Sequence, residues 1–529
     1  MNKVEEFITK KTAEGANPEF IDSFKKLHNP IPILNQIDDV QEEERWKNIA
    51  TDIRQCLKDG TDFKFPNIVG GWTSKDQRKF DKLYKDIKSE FKKPVATNPG
   101  VIFLRRSQAE QFCKLQPVYF DSAEIWWIWD ADEFKWQMGD ETDILNLVFK
   151  TINVDCVENK IRNEILNALR QVARLHKPET PEKDWIQFED KIVDIKNVKI
   201  IDASPNYFVT NPIPWKLGTE TDTPEMDKLF REWVVGEDQD ESYINLLYEI
   251  IAYCACSEQF LQNIIALTGS GSNGKGTFLK LLTKFIGIEN TCSSNLKAIC
   301  NGSFETSALY KKLFCNIGEV DYDDLQNTSV IKQLTGEDLI RYEFKGRTPF
   351  SDYSPTTLII ATNSLPKTPD TSIGFYRRWV IVDFPHQFKV SADVLARIPQ
   401  KEYENLALKI VLILKKLYTQ SSFSNPQSFD EKAQRYEERS NPIQKFIELH
   451  CEEIAGQNTV LRDFTIELNE YLKKKHLRIM TVRSVSKFLK DDGWDIAKRY
   501  VTIDHNEYSS VVILNVVLKH VKFKLPKLL

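Results

Sequence analysis

Ala266-Leu-Thr-Gly-Ser-Gly-Ser-Asn-Gly-Lys-Gly-Thr-Phe-Leu-Lys-Leu-Leu-Thr-Lys-Phe-Ile-Gly287 follows directly on Ile264 and Ile265, and its reading decides the fold. The apolar run Ile264 to Leu267 predicts a buried strand. From Phe278 on, apolar residues return at spacings of three and four, the period of a helix. Between them lies Gly269-Ser270-Gly271-Ser272-Asn273-Gly274-Lys275-Gly276-Thr277. The glycines let the backbone turn tightly enough to aim successive N–H groups at a polyphosphate, and the start of the helix adds partial positive charge. Lys275 supplies a point charge for the terminal phosphates. After Gly-Lys such loops carry a Ser or Thr that holds Mg²⁺. Here Gly276 intervenes and Thr277 follows it, turned by about 100° around the helix, so the identity of the magnesium ligand stays open.

Outward from this stretch, composition sets bounds. A chain of 529 residues is too long for one core, and length suggests about three or four domains. With 41% hydrophobic and 28% charged residues it is ordinary globular material. Apolar runs are short and the first residues carry no apolar signal region. The expectation is therefore a protein with no membrane partner, in the cytoplasm. Nine cysteines without a C-x-x-C pair read as free thiols. The net charge of −5 is uneven: from Arg462 to Leu529 there are 14 Lys+Arg and 8 Asp+Glu, so this tail is +6 and the remainder −11.

Upstream, residues 1–100 read as short helices of unknown role. Val101-Ile-Phe-Leu, Pro117-Val-Tyr-Phe and Glu124-Ile-Trp-Trp-Ile-Trp-Asp read as aromatic strands. Asp130 and Asp132 could form a metal-binding pair on one strand face, or the solvated tip of a hairpin. Ile161 to Leu175 reads as a helix, Trp185 to Pro214 as short strands, and Met226 to Trp233 and Tyr243 to Cys256 as helices.

Downstream, four signals follow in order. Leu313-Phe-Cys-Asn-Ile-Gly-Glu-Val-Asp is an apolar strand ending in acid, about 45 residues beyond the glycine loop. Glu319 is where a carboxylate would orient Mg²⁺ and polarise an attacking water, with Asp321 on the same side. Ile331-Lys-Gln-Leu-Thr-Gly-Glu-Asp begins a helix followed by a hairpin whose turn is Phe344-Lys-Gly-Arg. Lys345 and Arg347 at that tip suit the phosphates and bases of a single strand. Pro355-Thr-Thr-Leu-Ile-Ile-Ala-Thr-Asn is a buried strand ending in Asn363, an amide able to hydrogen-bond water or a terminal phosphate. Gly374-Phe-Tyr-Arg-Arg-Trp puts two arginines before a last strand, and Arg378, or Arg377 in competition with it, could reach a neighbouring subunit's nucleotide.

Together these residues resemble the superfamily 3 helicases, an AAA+-like group, and within it the C-terminal helicase part of phage, plasmid and poxvirus-type primase-helicases. The resemblance rests on Gly269 to Thr277, Glu319, Lys332 to Asp338, Ala361-Thr-Asn-Ser-Leu-Pro366 and Arg377-Arg378-Trp379, and extends over roughly residues 100–500. It implies ATP and Mg²⁺ at Lys275, Thr277 and Glu319, phosphate sensing by Asn363 and a trans-acting Arg378. It also implies DNA contacts from Lys345 and Arg347, and a homo-hexameric ring moving 3′ to 5′ on DNA. A primase or polymerase partner would act from outside residues 1–100, which lack paired catalytic acids.

The expected fold is α/β, an AAA+-like P-loop core with an N-terminal α+β and helical module and a C-terminal winged-helix-like domain. Its expected divisions are 1–100, an α+β module over 101–240, the ATPase core over 241–395, a helical connector over 396–455 and a basic domain over 456–529. In that last domain Thr481 to Lys490 reads as a helix with Val482, Val485, Phe488 and Leu489 inward and Arg483, Lys487 and Lys490 facing DNA phosphates. The functional expectation is a replicative DNA helicase of a mobile genetic element. Its rivals are a loading or origin-binding ATPase that does not unwind, and a small-molecule phosphotransferase.

Overall fold

A computed structural model describes residues 39–58, 74–90, 99–236, 240–301, 305–318, 325–389, 393–503 and 506–519. Glu319 and Asp321 lie outside the described residues. The chain divides into two compact units, Met1–Leu104 and Arg105–Leu529.

In the first unit α1 (Asp39–Lys58) and α2 (Ser74–Glu90) pair through Trp46, Ile49, Ile53, Phe80 and Ile87. The spacing of these side chains puts one stripe of each helix into the seam. The stretch Val101 to Leu104, expected as a strand, lies instead in helix α3 (Pro99–Leu115). Pro99 is pre-set for a first helical turn, and the helix continues into Ala109, Phe112 and Cys113, whose three-residue and one-residue steps face one core.

The second unit opens with the remainder of α3 and an antiparallel meander, β1 (Val118–Phe120), β2 (Trp126–Asp130) and β3 (Lys135–Gly139), followed by α4 (Glu141–Ile152) and α5 (Asn159–Leu175). Successive side chains of β2 alternate between two cores. Trp126 and Ile128 pack on α4 and α5, whereas Trp127 and Trp129 pack toward the main sheet. Both faces are buried, which is why the segment is aromatic throughout. Its hairpin tip is a turn: Asp130 Oδ1 accepts from the N–H of Asp132 (2.9 Å) and Glu133 (3.0 Å). A second meander, β4 (Trp185–Phe188), β5 (Lys191–Asp194) and β6 (Lys199–Asp202), leads to α6 (Pro224–Val234) and the buried α7 (Ser242–Ala255).

Next in the chain come β7 (Ile264–Thr268), α8 (Lys275–Ile286), β8 (Thr291–Ser294), α9 (Leu296–Asn301), β9 (Phe314–Ile317) and α10 (Ser329–Thr335). They are followed by the hairpin β10 (Leu339–Tyr342) and β11 (Phe350–Tyr353), then β12 (Thr357–Thr362), α11 (Ile373–Tyr376) and β13 (Trp379–Asp383). Five of these strands form one parallel sheet in the order β13-β7-β12-β9-β8. Every residue of β7 is buried, as expected of a central strand covered on both faces. Because β7 is followed by β8 at the far edge and β12 returns to its side, the loops after β7 and β12 meet over a gap. Such a crevice at the carboxyl ends of the strands is where open α/β sheets bind ligands.

Helices α12 (Gln400–Gln420) and α13 (Phe429–Ser440) follow, then α14 (Pro442–His450), β14 (Cys451–Val460), α15 (Leu461–Lys474), α16 (Val482–Asp491), β15 (Ile496–Ile503) and β16 (Asn506–Leu518). The last three strands pair antiparallel in the order β14-β16-β15. Ile443, Phe446, Ile447 and Cys451 share one core with Leu461, Phe464, Val485 and Leu489. This core therefore takes in residues from Ile443 onward. Val482 is 41% exposed, not inward, since it lies in the first turn of α16. Among the described residues no helix is long and apolar enough to cross a membrane.

Candidate functional site

The loop between β7 and α8 is built around Lys275, which is only 8% exposed. Its ammonium donates to Gly269 O (2.7 Å), Asn273 Oδ1 (3.1 Å) and Asn363 Oδ1 (3.2 Å). Asn273 in turn donates through Nδ2 to Phe384 O at 3.0 Å, so its amide is oriented with the acceptor toward the lysine. Two glycines are fixed by space. A Cβ on Gly269 would lie 1.8 Å from Asn273 Nδ2, and Gly274, at φ +94°, has the Trp233 ring where a Cβ would go. Among the described residues the backbone N–H groups of Gly271, Ser272, Asn273 and Gly274 donate to no protein acceptor. Four successive free donors before a helix, beside a buried ammonium, fit an anion.

The Thr277 hydroxyl makes no hydrogen bond among the described residues, while Gly276 has open space where a side chain would stand. Thr277 is therefore available as a metal ligand from this helix. With Glu319 outside the described residues, a carboxylate partner is not added to it. Among the described residues no three His, Cys, Asp or Glu side chains gather as a metal-binding group. Segment 384–388 closes one side of the loop: Phe388 N donates to Ser272 O (2.7 Å) and Gln387 Nε2 to Ser270 Oγ (2.9 Å).

Behind the loop lies a buried ion cluster that no sequence spacing announced. Asp383, at the end of β13, pairs in register with Thr268, the residue before Gly269. Its carboxylate accepts from Thr268 Oγ1 (2.5 Å), Arg439 Nη2 (2.5 and 2.6 Å) and Arg435 Nη2 (2.7 Å). Burial alone would push the Asp383 carboxyl up, but the two guanidiniums overcome it and hold it well below the usual carboxylate range. Helix α13 thus locks the ends of β7 and β13. Arg439 O also accepts from Leu365 N (3.1 Å), which fixes the loop carrying Asn363.

The two arginines before β13 differ. Arg378 is buried and turned inward, donating through Nε to Thr335 Oγ1 (2.8 Å) and through its other nitrogens to Gly374 O and Lys332 O. Burial and then the charge of Arg377 lower its pKa. Arg377 is exposed and reaches Gln262 Oε1 at 2.6 Å. Both stand at the amino end of β13, the opposite end of the sheet from Lys275.

Lys345 and Arg347 flank Gly346 in the turn of the β10–β11 hairpin. Arg347 N donates to Phe344 O (3.1 Å), and Gly346 takes φ +77°. Phe344 and Phe350 stack at 6.0 Å beneath the turn, so both cations are held at an exposed tip. Arg483 and Lys487 are exposed on α16, opposite the buried Val485 and Leu489.

A family model described as a family of unknown function (DUF5906) matches residues 267–378. That span runs from the glycine loop to Arg378. Among solved structures the chain is similar to the apo structure of the NrS-1 C-terminal region (305–718), at 14% identity and TM-score 0.44, over 79% of this chain and 100% of that one. It is also similar to the A-form apo structure of the same region, at 14% identity and TM-score 0.41, over 76% and 96%.

Proposed function

We propose that the chain is an ATP-driven DNA helicase of the superfamily 3 type, encoded by a mobile genetic element. The observation that carries this reading is the meeting of Lys275, Asn273 and Asn363 over four N–H groups that have no acceptor among the described residues, at the carboxyl ends of β7 and β12. Such a site grips a triphosphate by fixed donors and charge, and places a neutral amide beside its terminal phosphate. In this reading Lys275 and the loop amides of Gly269 to Thr277 bind ATP. Thr277 and Glu319 would hold Mg²⁺, which when bound would supply positive charge to the phosphates, and Glu319 would take the proton of the attacking water.

Phosphoryl transfer of this kind gains from a cation supplied by a neighbouring subunit in a homo-hexamer. Of the two candidates, Arg377 is exposed with its guanidinium on Gln262, whereas Arg378 is buried and engaged within its own chain. Turnover would move the Lys345–Arg347 tip along a strand. The order β14-β16-β15 with two helices between β14 and β15 supports a winged-helix role for residues 442–519, with Arg483 and Lys487 on phosphates. Strand displacement on forked DNA tests the proposal: wild type separates strands with ATP, and Lys275→Ala does not. ATP turnover without any displacement would replace it with a loading ATPase.

A further inference from the structure

At the amino end of β7 and β13, a cavity of about 200 Å³ lies between those strands, the 421–427 loop and the first turn of α13. Among the described residues two cations line it, Arg377 and Lys432, and no carboxylate does. The Lys432 ammonium donates to the Arg377 carbonyl (2.9 Å), and the Arg377 guanidinium to Gln262. Neither has an acidic partner among the described residues. The acid beside Lys432 is committed elsewhere, since the Glu431 carboxylate closes a capping box with Ser428. Arg435, which touches the lining residue Tyr243, is neutralised by Asp383. Burial and then Arg377 lower the Lys432 pKa, as expected of like charges sharing a site without a counter-ion.

The rest of the wall combines Asn263, Ser422, Asn425 and Gln427 with the apolar Leu246 and Phe423. Low-dielectric walls strengthen attraction to an anion, and the amides and hydroxyls can satisfy its remaining oxygens. The volume is below the ~300–1,000 Å³ of sites for drug-sized ligands, and so suits a small oxyanion or one group of a larger molecule. We propose that this cavity is a second phosphate-binding site, in which Arg377 and Lys432 hold one phosphate group. It is separated from the Lys275 loop by the length of β7, roughly 17 Å for five residues. It does not depend on nucleotide binding at that loop.

Covalent labelling of lysine amines in the full chain, quantified residue by residue by mass spectrometry, tests this. Raising inorganic phosphate against chloride at matched ionic strength should slow labelling of Lys432 about tenfold at ~10 times the half-effect concentration. Exposed lysines such as Lys473 should be unaffected. The same protection should persist in Lys275→Ala, and the accompanying rise in melting temperature should vanish in Lys432→Gln. If a single-stranded oligonucleotide protects at lower concentration than free phosphate, the group belongs to nucleic acid; protection by phosphate and ATP alone assigns it to a nucleotide. Equal labelling of Lys432 in phosphate and chloride, or protection lost with Lys275→Ala in a folded chain, would overturn the proposal.

Discussion

Lys275 and Asn363, 88 positions apart, meet at 3.2 Å across the gap between β7 and β12. The contact joins the end of the glycine loop to the end of the next strand in the sheet. A bound triphosphate would compete for the same ammonium, leaving the Asn363 amide facing its terminal phosphate and the water behind it. Asn363→Ala should therefore leave ATP affinity within a few-fold and lower single-turnover hydrolysis by about 10²-fold, as for loss of one donor to developing charge. Equilibrium binding beside rapid-quench hydrolysis separates the two effects.

The Asp383–Arg439 pair predicts a stability cost. Asp383→Ala would leave two buried guanidiniums without their carboxylate, and should destabilise the second unit by about 3–5 kcal/mol in urea denaturation. The pH dependence follows from the depressed carboxyl. Its folded-state pKa lies below the unfolded value of about 3.9, so the contribution is complete above that pH and is lost as pH falls further below it. Wild type should lose stability on acidification below about pH 4 more steeply than Asp383→Asn, which has no proton to bind.

Much of this was legible in the sequence because local patterns carry it. The apolar run at Ile264, the glycines after it and the helical spacing from Phe278 correspond to β7, the loop and α8. Phe344-Lys-Gly-Arg is legible as a turn because Gly346 alone supplies the positive φ there. Other features have no local signature. Strand β14 contains Glu452, Glu453, Gly456 and Asn458, and it is polar because it is an edge strand, held by backbone pairing to β16 around a register shift between Glu453 and Asn458. Asp383 and Arg439 are 56 positions apart on a strand and a helix, and only the packing of α13 brings them together. Which of Arg377 and Arg378 faces outward depends on α10, whose last turn Arg378 caps.

That difference separates the two arginines experimentally. Arg378→Ala removes hydrogen bonds from a buried site and should cost about 1–3 kcal/mol of stability. Arg377→Ala should stay within about 0.5 kcal/mol of wild type, as at other exposed sites, yet lower turnover by roughly 10³-fold. If the cation acts between subunits, mixing Arg377→Ala with Lys275→Ala chains should restore part of the ATP turnover that neither has alone. Steady-state assays on defined mixtures check this.

DNA contacts should appear as salt dependence. Lys345→Ala, Arg483→Ala and Lys487→Ala should each weaken binding similarly for all sequences and reduce the slope of log K against log salt by about 1. Fluorescence anisotropy across a salt series measures it, with Lys473→Ala, on the neighbouring helix α15, as the comparison.

The central claim is that the loop from Gly269 to Thr277 binds and turns over ATP through Lys275. Steady-state ATP hydrolysis by the full chain with Mg²⁺ and forked DNA, run beside Lys275→Ala, tests it most directly. The account predicts turnover that DNA stimulates and that falls by at least about 10²-fold in the variant, because the charge on the terminal phosphates is lost. Equal turnover in the two proteins, or none in wild type under any of these conditions, would contradict it.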